Sequence, residues 1–218
     1  MPFYQRVFYR FWWWVCLIVA TIVFRLRRFG LHNVPKEGAF LIVANHESFL
    51  DPVITGLAIA HKPVTALARK SLFKNPIFGA VLRSIGVTPI DDNGGDIATI
   101  KLSIRLLRDG HVVSLFPEGS RTHDGEIQPF KKGALLLIRR STAPILPIAV
   151  AGAYNTWPRS QKLPKFFGNH VAINVGKPID HDDLLKDGPD AALRRLEQVI
   201  QALRDEMDPI IASHGRRV

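Results

Sequence analysis

His46 and Asp51 stand five residues apart within Asn45-His46-Glu47-Ser48-Phe49-Leu50-Asp51. A carboxylate that accepts a hydrogen bond from one imidazole nitrogen fixes the tautomer, and the other nitrogen can then take a proton from a hydroxyl nucleophile. His46 is therefore a candidate general base and Asp51 its orienting partner. The spacing alone is weak, and a loop histidine followed by a helix N-cap is its plainer reading. Farther along, Phe116-Pro117-Glu118-Gly119-Ser120-Arg121-Thr122 offers a second set of groups. Gly119 lets backbone N–H groups approach a ligand closely, and Ser120, Arg121 and Thr122 are donors. A guanidinium can grip a phosphate through two nitrogens, and an ordinary turn with a surface arginine fits the segment equally well.

Both segments follow short apolar runs. Residues 39–44 (AFLIVA) and 111–116 (HVVSLF) read as buried strands, and ligands in α/β sheets bind at the carboxyl ends of strands. Further strands are expected at 63–68, 87–90, 145–151 and 171–175. Asp51-Pro52 looks like an N-cap followed by proline at the first helical position, opening a helix to about Ala60. Other helices are expected at 76–84, 96–108, 133–140 and 190–213. The 96–108 helix carries Ile97, Ile100, Ile104 and Leu107 on one face, with Lys101, Arg105 and Arg108 as a solvated basic stripe. The last helix carries Leu193, Leu196, Ile200, Leu203 and Met207. Residues 154–168 form a loop rich in proline, lysine and aromatics. Strands alternating with helices predict an α/β layer structure around one core.

The chain has 218 residues, a hydrophobic fraction of 47% and a net charge of +10. Such a charge attracts anionic lipid, a phosphorylated substrate or nucleic acid, but it is spread along the chain without a nucleic-acid-binding motif. The lone Cys16 excludes an intramolecular disulfide and a cysteine-rich zinc site. The absence of G-x-S-x-G, P-loop, G-x-G-x-x-G and H-E-x-x-H motifs argues against a hydrolase elbow, nucleotide chemistry and a zincin site. No metal is expected. His61, His111, His123, His170, His181 and His214 read as surface or core residues.

The N-terminus stands apart. Residues 11–24 (FWWWVCLIVATIVF) are uncharged and flanked by Arg10, Arg25, Arg27 and Arg28. As a helix this run spans roughly 21 Å, short of a hydrocarbon core of about 30 Å. Tryptophans beside arginines suit the headgroup level, so residues 1–29 are expected to form an anchor embedded in one leaflet. A buried core helix and a tilted span are the alternatives. Residues 30–218 are expected to be the catalytic domain.

The segments NHESFLD and FPEGSRT resemble the first and third signature blocks of the 1-acylglycerol-3-phosphate acyltransferase (glycerolipid acyltransferase) family. Residues 70–79 with 86–91 resemble its second block and residues 143–150 (APILPIAV) its fourth, all in the family's order. The resemblance covers roughly residues 30–178. It implies an α/β domain with a mixed central sheet flanked by helices, behind the membrane anchor. It implies His46 as catalytic base with Asp51 as its partner. Glu118, Gly119, Ser120 and Arg121 match the block that binds the acceptor's phosphate, with Lys70 sharing that task and Pro147 shaping the acyl-donor site. The second block's usual arginine after the aspartate is missing, since Asp92 and Asn93 follow Asp91. The implied reaction moves an acyl group from acyl-CoA or acyl carrier protein to a lysophospholipid, without a bound cofactor, at the cytoplasmic face of the inner membrane. Glycerol 3-phosphate or a lyso-aminolipid as acceptor, and a non-catalytic lipid-binding protein, are the rival readings.

Overall fold

The structure, a computed structural model, describes residues 3–76, 79, 83, 86–90 and 95–215. Strand β2 (Phe40–Ala44) is fully buried and alternates between two cores, as the two-residue period of a strand requires. Phe40, Ile42 and Ala44 point into one core and Leu41 and Val43 into the other. Around it lie β1 (Arg27–Phe29), β3 (Val64–Arg69), β4 (Val87–Ile90), β5 (Val112–Leu115), β6 (Ile145–Ala151) and β7 (Ala172–Val175). They form one sheet in the order β1-β7-β6-β2-β5-β3-β4, parallel at every pairing except β6 with β7. The expected mixed α/β sheet is present.

Helices α1 (Phe3–Val23) and α2 (Asp51–Gly56) cover one face. Helices α3 (Gly95–Arg108), α4 (Lys132–Ser141), α5 (Ala153–Thr156), α6 (His181–Leu185), α7 (Pro189–Asp205) and α8 (Asp208–Gly215) follow. Of these, α3, α4 and α7 pack on the other face through Ile100, Leu107, Leu135, Ile138, Leu196 and Ile200. Lys101, Arg105 and Arg108 lie on the exposed side of α3.

Several elements differ from their expected form. β1 was hidden in the expected anchor because two of its three residues are arginines. It qualifies as a strand only through backbone pairing, Arg27 with Ala172, at a sheet edge where charged side chains are well tolerated. The domain boundary expected after residue 29 thus falls just behind a strand of the sheet. The helix expected to run to Ala60 ends at Gly56. Ile97 does not join the buried face of α3; it is 66% exposed in the first turn. The long C-terminal helix is broken into α7 and α8. Pro209 cannot donate a hydrogen bond and clashes with the carbonyl four residues back, which belongs to Asp205, the last residue of α7. Most of the helix expected at 76–84, and residues 91–94, lie outside the described residues.

Helix α1 has two apolar faces. Trp13, Leu17 and Ala20 are buried against the sheet, and the Trp13 indole donates to the Gly56 carbonyl at 3.2 Å. Val7, Phe11, Trp14, Ile18 and Ile22 are each more than half exposed and recur at helical spacing on the opposite face. At 21 residues α1 is roughly 32 Å long. No helix among the described residues is long and apolar enough to cross a membrane. We expect Trp13→Ala to cost about 3–5 kcal/mol in chemical denaturation. Trp14→Ala, one residue away, should stay within about 0.5 kcal/mol.

The C-terminal helices are tied to the sheet's carboxyl edge by Glu47. Its side chain is buried, accepts the Tyr154 N–H at 3.1 Å and lies 3.4 Å from the Arg204 Nε. Burial pushes this carboxyl up to about 8, helped by the negative charge of Asp51 and opposed by Arg204 and by backbone N–H groups. A raised acid binds more protons folded than unfolded, so its contribution to stability declines from its ordinary value of 4.5 up to about 8. The melting temperature should fall as pH rises across that window. In Glu47→Gln the slope should be flatter, which a pH series of thermal melts will measure.

Candidate active site

β2 and β5 are parallel neighbours, Val43 pairing with Leu115, so the segments after them leave the same edge of the sheet. Asn45 fixes where the first segment departs. Its side chain mimics a backbone pair with Val150 of β6, accepting the N–H at 2.7 Å and donating to the C=O at 2.9 Å. The next residue is held from both sides by the second segment. The His46 N–H donates to Glu118 Oε1 at 2.7 Å, and the His46 C=O accepts from the Thr122 N–H at 2.8 Å. The Phe116 ring stacks on the imidazole at 4.2 Å. The two loops are thus hydrogen-bonded to each other.

His46 Nδ1 lies 2.7 Å from Asp51 Oδ2. That oxygen also accepts the Ser48 N–H at 2.7 Å, and Asp51 is wholly buried. Asp51 is not the N-cap: Leu50 occupies that position, and Asp51 is the first residue of α2 with its carboxylate turned back to close the 46–51 loop. With the Nδ1 proton given to the carboxylate, Nε2 presents its lone pair. The imidazole is 19% exposed, and Nε2 has no hydrogen-bond partner among the described residues. This is the geometry of an oriented base open to a substrate hydroxyl.

Arg121 lies with its guanidinium carbon 3.3 Å from the centre of the Phe49 ring, and its buried Nη1 has no hydrogen-bond partner among the described residues. Burial and the neighbouring Arg159 hold the guanidinium below its ordinary range, while Asp51 opposes them. A half-buried cation with an unmatched donor beside a second cation is suited to an anion. Gly119 has φ +70, and a Cβ there would lie 2.9 Å from Lys131 Nζ, so the Lys131 ammonium rests over the glycine. Ser120 is exposed beside it. Glu118 faces inward; burial pushes it up to about 7 against the pull of the His46 and Gln128 N–H groups.

Lys70 directly follows β3, whose carboxyl end shares this edge because β3 runs parallel to β5, and it is exposed there. Pro147 does not join the group. It is buried within β6 opposite Val43, three residues and roughly 10 Å back from the level of Val150. The sequence reading missed Lys131 and Arg159. Lys131-Lys132-Gly133 ahead of an apolar helix was the available signal for the first, and Arg159 lay in a loop without any. Among the described residues no three His, Cys, Asp or Glu side chains gather as metal ligands.

Residues 25–151 match the family described as Acyltransferase. The chain is 28% identical over 203 residues to the 1-acyl-sn-glycerol-3-phosphate acyltransferase of Bacillus subtilis, covering 89% of this chain and 98% of that protein. It is 31% identical over 183 residues to that of Streptococcus pneumoniae, covering 80% and 66%. The human alpha enzyme of the same name is 26% identical over 170 residues, covering 77% and 59%. The crystal structure of the 1-acyl-sn-glycerophosphate (LPA) acyltransferase from Thermotoga maritima shares the fold, with a TM-score of 0.70 at 24% identity, covering 84% of this chain and 72% of that one. The matched segment contains both loops that meet at His46, and the chain belongs to the acyltransferase family.

Proposed function

We propose that the chain transfers a fatty acyl group from acyl-CoA or acyl carrier protein to the free hydroxyl of 1-acylglycerol 3-phosphate, giving phosphatidic acid. The observation that carries this reading is the open Nε2 of an Asp51-oriented His46, together with the unmatched guanidinium of Arg121. The names of the relatives support the same acceptor.

In the reaction, His46 Nε2 takes the acceptor's hydroxyl proton as its oxygen attacks the thioester carbonyl. The tetrahedral oxyanion is stabilised by backbone N–H donors and collapses to an ester and a thiolate. The thiolate takes the proton back from the imidazolium, so the enzyme ends unchanged. Asp51 holds the tautomer and stabilises the imidazolium. Arg121, with Lys131 and Lys70, receives the acceptor's phosphate, while Glu118 fixes the loop instead of acting as a second base.

The exposed apolar face of α1 is the feature suited to a lipid leaflet. We assign α1, within residues 1–29, as the anchoring segment, attached monotopically to the cytoplasmic leaflet, and count β1 with residues 30–218 as the catalytic part.

The test is an acyl-transfer assay with both donor types against 1-acylglycerol 3-phosphate, glycerol 3-phosphate and a lyso-aminolipid. His46→Ala should lower kcat by about 10²–10⁴-fold with the fold intact, and Asp51→Asn should lose much of that factor. Arg121→Ala should raise KM about 10- to 100-fold for the phosphorylated acceptors and little for the lyso-aminolipid. Full activity in a folded His46→Ala protein would overturn the mechanism, and equal losses on all acceptors would make Arg121 structural.

A further inference from the structure

Among the described residues, the exposed large hydrophobic side chains other than Ile97 occur on two elements. One is the outer face of α1. The other is the loop between Trp157 and Gly168, where Leu163 is 73%, Phe166 59% and Phe167 66% exposed. These two elements meet. The Phe166 ring stacks on Phe24, just past the end of α1, at 6.4 Å, and Arg25 Nη1 lies 3.1 Å from His170 Nε2 behind the loop. The Val171 N–H donates to the Phe24 C=O at 3.1 Å, completing the junction.

The loop holds its apolar tip outward by its own hydrogen bonds. The Lys165 N–H donates to the Thr156 C=O at 2.8 Å, and the Trp157 indole donates to the Gln161 C=O at 3.2 Å. Phe167 adopts φ +67, a conformation that disfavours any residue with a Cβ and would suit glycine or asparagine in a loop facing only water. Arg159, Lys162 and Lys165 are exposed among these residues, and the stretch contains no aspartate or glutamate. Aromatic and leucine side chains interleaved with cations match an anionic headgroup layer, apolar groups entering and cations meeting phosphates.

We propose that the loop of residues 157–168 is a second membrane contact, inserting Leu163, Phe166 and Phe167 into the lipid interface beside the end of α1. The inference rests on the reading of α1 as a membrane face and adds a site at which the catalytic edge is tethered. The base of the loop touches the catalytic segment: Ser48 Oγ donates to the Trp157 C=O at 2.9 Å, and Phe49, which bears Arg121, packs on the Trp157 ring at 5.1 Å. Docking the loop therefore sets how His46 and Arg121 face the headgroup layer where a lysophospholipid resides.

The full chain in a Cys16→Ser background, with Leu163→Cys carrying an environment-sensitive fluorophore, is mixed with phosphatidylcholine vesicles with and without phosphatidylglycerol. The label should shift to the blue, more so with phosphatidylglycerol, and be quenched by lipid-borne quenchers. The same label at the exposed, remote Lys186 should not respond. The double variant Leu163→Ser/Phe167→Asn should partition to vesicles about tenfold more weakly. Its melting temperature, and its kcat/KM on a short-chain acceptor dispersed as monomers, should match the wild type. A label at 163 that stays in water while the chain co-sediments with vesicles overturns the loop contact and leaves the α1 reading standing. Failure of the wild-type chain to co-sediment overturns both. Loss of self-association in the double variant without a change in partitioning would make the patch a contact between copies and overturn the proposal.

Discussion

The backbone of His46 is gripped on both sides by the loop after β5, its N–H by Glu118 and its C=O by Thr122. Most of what the site can do follows from that grip. It brings the imidazole onto the Phe116 ring and within reach of Asp51, and it carries Arg121 to the same edge. The grip in turn requires β2 and β5 to be adjacent and parallel in register. Placing their carboxyl ends side by side takes the helical crossovers packed on the two sheet faces. The apolar alternation of β2, divided between two cores, thus serves the chemistry by fixing the direction in which the strand ends.

The arrangement concentrates acid groups where they are costly. Glu47 and Glu118 are raised first by burial and then by the charge of Asp51, and among the described residues the one cation that pairs with either is Arg204, 3.4 Å from Glu47. Each also accepts backbone N–H groups: Tyr154 for Glu47, and His46 and Gln128 for Glu118. These bonds join segments distant in the chain, so removing one leaves a buried donor unmet on another element. One of these bonds, from the His46 N–H to Glu118, also fixes the position of His46.

The legible part of this protein was its chemistry-bearing loops and the strands before them. Continuous apolar runs read directly as buried strands, and the residue types in both loops pointed to the candidate base and anion site. What escaped depended on tertiary proximity. Lys131 and Arg159 matter only because the fold brings them beside Gly119 and Arg121. The two faces of α1 could not be separated by periodicity, since the segment is apolar all round: Trp13 is buried and Trp14 exposed. The two readings of Asp51 divide: its carboxylate meets His46 as the residue types suggest, but the cap that its proline neighbour suggests falls on Leu50. The break between α7 and α8 was announced by Pro209, but the apolar stripe running on to Met207 hid it.

The central claim is that Asp51 sets His46 as the Nδ1–H tautomer with Nε2 open. Nitrogen-15 NMR of the neutral imidazole reads this directly. The account predicts a protonated Nδ1 with a hydrogen-bonded proton and an unprotonated Nε2 in the wild type, with the preference lost or reversed in Asp51→Asn. A wild-type His46 bearing its proton on Nε2, or a tautomer that does not respond to Asp51→Asn, would contradict it.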